Sequence, residues 1–170
     1  LFGISIIVGA TCFFFQTELI ELRYEGSSAE SAVSFGFLIL SFIPVAITYV
    51  FGTLLTANGS LRYLNQMAFG GVVLNVVLNY FLIQSIGVVG AALATLVTQV
   101  ITAAVQMAVA YRLFKFKFSW KYYGSLLGLI GGLLLGYYFL NITFTNRLEL
   151  IIPYFIFGVA LGFLQHLPSA

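Results

Sequence analysis

The 170 residues are 61% hydrophobic and 7% charged, with mean hydropathy +1.08 and a formal charge of +2. A soluble domain carries about 25% charged residues, so this chain lacks the polar surface to stay in water, and a soluble enzyme or regulator is excluded. Its bases border apolar segments and form no stripe interleaved with stacking aromatics, which excludes nucleic acid as a partner.

The sequence opens Leu1-Phe2-Gly3-Ile4, without an initiating Met or a basic leader, and closes at the edge of an apolar run with Gln165-His166-Leu167-Pro168. The expected reading is an excised part of a longer protein. The first apolar segment runs from Leu1 to about Phe15, short by a turn, with its polar end reaching residue 18. A solvated loop is expected to follow, holding Glu18, Glu21, Glu25 and Glu30 against one base, Arg23. Gly26-Ser27-Ser28 breaks any helix there, and Ser28 or Ser31 is placed to cap the next one.

The second segment, about 32–57, carries Pro44 in its middle. Inside a helix bundle a hydroxyl such as Ser41 can satisfy the carbonyl that proline frees, so a kink is expected and not a stop. Asn58-Gly59-Ser60 is a turn, with Ser60 as the N-cap of the third segment. Segments three and four, about 62–83 and 88–113, are joined by the short turn Gln84-Ser85-Ile86-Gly87. Neither core, Met67–Ile83 or Val88–Tyr111, contains an Asp, Glu, Lys or Arg. Each is long enough to cross about 30 Å of hydrocarbon at about 1.5 Å per residue.

The fifth segment, about 120–140, has Gly124, Gly128, Gly132 and Gly136 at intervals of four, a face on which another helix can approach closely. Tyr122, Tyr123, Tyr137 and Tyr138 stand at its two ends, where amphipathic rings favour the headgroup layer. Asn146 with Glu149 has capping-box spacing for the sixth segment, about 147–167, in which Gly158 and Gly162 repeat the small-residue interval. The expected fold is therefore all-α, a polytopic bundle of six transmembrane helices with the lipid bilayer as its solvent. The alternating pattern of a membrane β-barrel is not present.

Loop charges orient the bundle. Arg62, Arg112, Lys115, Lys117 and Lys121 fall on one side with no acid among them, while the acidic loop, the 84–87 turn and the Arg147/Glu149 pair fall on the other. The positive-inside rule puts the Arg112–Lys121 loop and the C-terminal end in the cytoplasm.

No catalytic constellation or cofactor site is legible. Cys12 stands alone in an apolar run and reads as a structural thiol; His166 lies at a helix end; Gly87–Gly90 lacks the Lys-Ser/Thr of a phosphate loop. The acids of 18–30 have no His or Cys partner at metal-ligand spacing. The site candidates are uncharged groups inside the membrane cores. Asn75 and Asn79, four apart, share one face of the third helix, and Thr95, Gln99, Thr102 and Gln106 follow i, i+4, i+7, i+11 along the fourth, with Thr98 beside them. Amides facing lipid lose their water at a cost of about 1–3 kcal/mol, so these faces should look at protein or a wet cavity. Two readings stand for them: a polar pathway for a hydrophilic head group, or hydrogen bonds that hold the helices together.

The stretch Leu54-Leu55-Thr56-Ala57-Asn58-Gly59-Ser60, then Leu74-Asn75-Val76-Val77-Leu78-Asn79, then Ile86-Gly87-Val88-Val89-Gly90-Ala91-Ala92-Leu93-Ala94-Thr95 resembles Wzx-type O-antigen and capsule flippases. These are the polysaccharide-exporter branch of the MATE-like multidrug/oligosaccharidyl-lipid/polysaccharide (MOP) superfamily. The likeness covers about residues 50–112. It implies the C-terminal part of a two-lobe transporter in the bacterial inner (plasma) membrane. Such a protein moves a polyprenyl-diphosphate-linked oligosaccharide outward by alternating access, with an N-terminal lobe outside these 170 residues. The resemblance also implies a cationic cavity for the diphosphate, yet no base lies inside the membrane cores; those contacts would fall to the other lobe or to Arg62 at the cytoplasmic mouth. Two alternatives differ in kind: a cation-coupled multidrug exporter of the same superfamily, and a non-transporting membrane assembly protein whose glycine faces serve only helix association. No acid, base and nucleophile cluster supports an enzyme.

Overall fold

A computed structural model describes residues 2–24, 26, 28–115, 120–143 and 147–166. Among them every regular element is a helix: α1 (Phe2–Phe14), α2 (Gln16–Arg23), α3 (Ala29–Leu40), α4 (Phe42–Ala57), α5 (Leu61–Phe114), α6 (Trp120–Thr143) and α7 (Arg147–His166). Ala29–Ala57 and Leu61–Phe114 are long and apolar enough to cross a membrane, and α1 with α2 would add a third stretch only if that bent pair is counted as one span. Gly124–Phe139 and Leu148–Phe163 are shorter apolar helices. Lys117 and the Asn146 cap lie outside the described residues, as do the side chains of Lys121, Tyr122, Tyr123 and His166.

α1 is the helix that the α3–α4 and α6–α7 pairs share, while α5 packs on α3 and α4. α1 packs on α3 and α4 on one side and on α6 and α7 on the other. The buried core is built there, from Ile6, Ile7 and Phe15, Leu129 and Leu133 of α6, and Leu150 and Tyr154 of α7. Glycines admit this contact: a Cβ at Gly158 would stand 2.9 Å from Ile7, and one at Gly162 would stand 3.3 Å from it. The regular glycine row of α6 is used only in part. Gly132 and Gly136 receive Leu161 and Phe157 of α7, whereas Gly124 faces open space and Gly128 is exposed. The paired tyrosines at the end of α6 face different ways: Tyr137 is partly buried. It turns inward to stack on Phe14 with centroids 4.3 Å apart, while Tyr138 stays 66% exposed.

The solvated loop expected after residue 15 is instead a helix. α2 leaves α1 at an angle of 73°. The break falls at Phe15, without proline or glycine, because the bend drops that ring against Tyr137 and Tyr154 at 5.9 and 5.7 Å. Leu19 then packs on the core, and the Gln16 amide lies against Gly36 of α3. The next start follows the sequence: Ser28 Oγ accepts the Ser31 N–H at 3.3 Å, an N-cap of α3. Ser28→Ala is expected to lower stability by about 0.5–2 kcal/mol, measured as a fall in the unfolding midpoint of the detergent-solubilised protein.

The proline does not stop the helical run, which extends as one apolar stretch from Ala29 to Ala57. α3 ends at Leu40 and α4 starts at Phe42, leaving Pro44 in the first turn of α4, where its missing N–H costs least. The Ser41 hydroxyl donates to the Leu38 carbonyl at 2.6 Å, and Val45 N–H still reaches the Ser41 carbonyl at 3.1 Å. At the next boundary the side-chain cap is absent. Ser60 holds the N-cap position of α5 but makes no side-chain cap bond; its hydroxyl accepts from Asn58 Nδ2 at 3.0 Å.

α5 is a hairpin. Its backbone leaves helical geometry at Ile86 (φ −136°) and Gly87 (φ 58°, ψ −134°), a conformation glycine adopts without steric cost. The reversal is tighter than the predicted four-residue turn, with helix continuing through Ser85 and resuming at Val88. Gly90 sits directly on the Leu82 carbonyl, Asn75 meets Thr98, and Gly71 meets Thr102. These pairings keep an antiparallel register to within one residue, so 61–85 and 88–114 are two legs side by side. The inner leg, 88–114, buries Ala92, Ala94, Ala103 and Ala110 against its neighbours, small side chains that let α3 and α4 come close.

Candidate functional site

The amides of the apolar runs meet between the two legs of α5. Asn75 Nδ2 donates to Thr98 Oγ1 at 3.3 Å, and Asn79 Nδ2 donates to Asn75 Oδ1 and to the Asn75 carbonyl, both at 2.9 Å. An amide, an amide and a hydroxyl are thus joined in series. Asn75 and Asn79 are half-buried and face protein, as the cost of an amide in hydrocarbon requires. Thr98 is buried, so its oxygen supplies the acceptor that the inner leg would otherwise lack.

Beside this chain lies an open groove of about 410 Å³ lined by Ala68, Gly71, Val72, Asn75, Val76, Thr95, Thr98, Gln99 and Thr102. Gly71 is what opens it: a Cβ there would come 3.2 Å from Thr102 Oγ1 and close the gap between the legs. Thr95 donates its hydroxyl to the Ala91 carbonyl at 3.0 Å, which leaves the oxygen's lone pairs able to accept. The walls therefore combine amide and hydroxyl groups with methyl surface and carry no charge, because no Asp, Glu, Lys or Arg occurs from Tyr63 to Tyr111. Such a lining can exchange hydrogen bonds with an uncharged polyhydroxylated group. It offers nothing for proton transfer or metal binding, and no group of three or more His, Cys, Asp or Glu gathers among the described residues.

Of the residues singled out in the sequence, Asn75, Thr95, Gln99 and Thr102 are brought together at the groove. Asn79 backs Asn75 without lining it. Gln106 does not continue the stripe: its Oε1 lies opposite Gly52 of α4, where a Cβ would be 3.5 Å away, and is buried without a hydrogen-bond partner. A straight helical face of eleven residues drifts round the axis, and α4 covers its far end. Arg62 is exposed in the first turn of α5, a helical stretch away from the groove. Thr98 and Gly71 are the groove positions the stripe pattern undervalued. Hairpin symmetry about Gly87 was the signal for them, since it sets Thr98 opposite Asn75.

Cys12 is half-buried with a free thiol. A second open groove, about 500 Å³, lies between α6 and α7 at Leu135, Gly136, Phe139, Pro153 and Phe157, and its lining is apolar. Among protein-family models, curated proteins and solved structures, none matches this chain.

Proposed function

We propose that this chain is the C-terminal part of a lipid-linked oligosaccharide flippase, a polysaccharide exporter of the Wzx type that works by alternating access. In this reading all six apolar legs cross the membrane. α6 and α7, of 24 and 20 residues, reach about 30 Å at about 1.5 Å per residue. The basic loop at 112–121 faces the bacterial cytoplasm, and residues outside this sequence supply the other lobe. The observation that carries the reading is the uncharged amide and hydroxyl groove between two apolar legs. Sugar hydroxyls need donors and acceptors but no counter-charge, and such groups are expensive in a membrane unless they have a use. The interruption at Ser41, with Pro44 close by, gives the α3–α4 stretch a place to bend as access alternates.

A second reading, a membrane assembly protein, is favoured by the Asn75–Thr98 bond, which ties the legs whether or not a substrate passes. Groove variants separate the two. Gln99→Leu with Thr102→Val changes the lining and leaves the Asn79–Asn75–Thr98 chain in place. In the intact protein it is expected to lower glycan export roughly ten-fold or more, equivalent to about 1.4 kcal/mol of lost substrate interaction, with unchanged membrane abundance and unfolding midpoint. Asn75→Leu with Asn79→Leu is expected to abolish export and also to loosen the hairpin by about 0.6–1.7 kcal/mol. Normal export from the Gln99/Thr102 variant, with loss only in the Asn75/Asn79 variant, would show that the groove is not the pathway and that its amides act only in helix association.

A further inference from the structure

The bend at Phe15 sets α2 at a level that its neighbours mark independently. α1 runs antiparallel beside two apolar helices. A Cβ at its Gly9 would touch Ile43, and Gln16 lies against Gly36; Ile7 lies against Gly158 and Gly162, and Phe15 meets Tyr154. In a bilayer α1 therefore follows the direction in which those helices run, and the 73° bend turns α2 towards the membrane plane. Gly36 stands six residues inside Glu30, and Tyr154 five residues inside Glu149. Both neighbours thus put the bend about 7–9 Å beneath an exposed carboxylate, at about 1.5 Å per residue. Tyr138, next to the ring that stacks on Phe14, is exposed at the same level, a position that suits the headgroup layer. α2 is also two-sided. At about 100° per residue, Leu22 stands about 60° round the axis from Leu19, with Thr17 and Glu21 about 160° away on the far side. Leu19 packs on the core, Leu22 is 73% exposed, and Thr17 and Glu21 are exposed. Tyr24, the extended residue that ends the helix, is exposed beneath the Arg23 guanidinium.

We propose that α2 is an in-plane interfacial helix whose Leu22 side docks on the boundary between headgroups and acyl chains, with Tyr24 at headgroup level and Thr17 and Glu21 turned to water. Amphipathic helices of this kind rest about 5–10 Å into that boundary, the depth at which the bend lies. Continuing α2 as part of one span with α1 would instead carry Glu18, Glu21 and Arg23 into hydrocarbon, where charges are costly. Glu18 and Glu21 outnumber Arg23, so the contact is apolar and needs no anionic lipid. Because Leu19 ties α2 to the core, lipid contact at Leu22 fixes the height of α1, the helix that two pairs share. The inference rests on a bilayer setting and does not depend on the transport reading.

The test uses the intact protein with Cys12→Ala, reconstituted in phosphatidylcholine vesicles and carrying one nitroxide label at a time on Thr17→Cys, Glu21→Cys or Leu22→Cys. All three positions are exposed, so the labels leave the packing of α2 in place. Electron paramagnetic resonance compares collisions with oxygen, which concentrates in hydrocarbon, and with a water-soluble nickel chelate. The label at 22 is expected to favour oxygen and to lie about 5–10 Å below the phosphates. The labels at 17 and 21 are expected to favour the chelate. Three labels that all favour oxygen would make α2 part of a span, and three that all favour the chelate would make it a solvated helix. A label at 22 shielded from both reagents would show protein covering that side. Each of these outcomes overturns the proposal, and none of them bears on whether a glycan passes the groove.

Discussion

Gly90→Ala is expected to destabilise the protein by about 1–3 kcal/mol, the usual cost of forcing one methyl into a packed site. The methyl would overlap the Leu82 carbonyl and come 3.0 Å from the Ile83 nitrogen, both of them backbone atoms on the opposite leg. A side chain could rotate away, but two helices leaving the same tight turn cannot separate here without losing the register below. The change should therefore reach the Asn75–Thr98 bond, about two turns further down. Gly70→Ala is the matched control on the same hairpin, because nothing lies within 4 Å of its Cβ; it should be neutral or stabilising by about 0.4–1 kcal/mol. Thermal unfolding in detergent, followed by circular dichroism, compares the two. Equal midpoints for both variants would show that the legs are not held at Gly90.

Tyr154→Ala is expected to cost more, about 3–5 kcal/mol, as for other large buried aromatics. Tyr154 is fully buried, its ring meets Phe14, Phe15 and Tyr137 at 6.0, 5.7 and 6.2 Å, and its hydroxyl donates to the Leu133 carbonyl at 3.0 Å. These contacts join α1, α6 and α7, so the cavity would open where three helices meet. Tyr154→Phe keeps the ring and removes the hydrogen bond, which should cost only about 0.5–1.5 kcal/mol. Tyr138→Ala, one residue from Tyr137 but exposed, should shift stability by no more than about 0.5 kcal/mol. Denaturant titration of the three variants orders them. A small effect of Tyr154→Ala would place the core elsewhere.

The candidate groove depends on three glycines of the hairpin at once. Gly87 turns the chain, Gly90 seats one leg on the other, and Gly71 keeps a gap beside the polar chain that the turn has created. The α1-centred core holds the α3–α4 and α6–α7 pairs independently of that gap. Changes in the groove lining can therefore alter ligand contact without unfolding the bundle. That separation is why the Gln99/Thr102 pair is informative and the Asn75/Asn79 pair is not sufficient.

Much of the fold was legible in local chemistry. Long uncharged runs announce apolar helices, Ser28 announces a cap, and Ile86-Gly87 between two such runs announces a reversal, because each depends on residues a few positions apart. The amide face of Asn75 and Asn79 was legible for the same reason, since burying an amide is costly wherever the helix sits. Reading 16–23 as part of a loop failed because polar residues were counted without asking whether Leu19 could find a core. The even glycine row of α6 misled as well: spacing shows that a helix could approach, and only α7 decides where it does.

By itself the sequence determined that the chain is helical, where its apolar runs start and stop, where it reverses, and which polar groups must avoid lipid. These follow from hydropathy, backbone freedom and desolvation, which act over a few residues. Only the tertiary structure decided that α1 is the helix two pairs share, that Phe15 bends it into an aromatic cluster, that Gln106 turns to Gly52 and leaves the groove, and that Thr98 faces Asn75. Those outcomes depend on which helix surfaces meet, and a helix offers every side of its cylinder until a neighbour covers one.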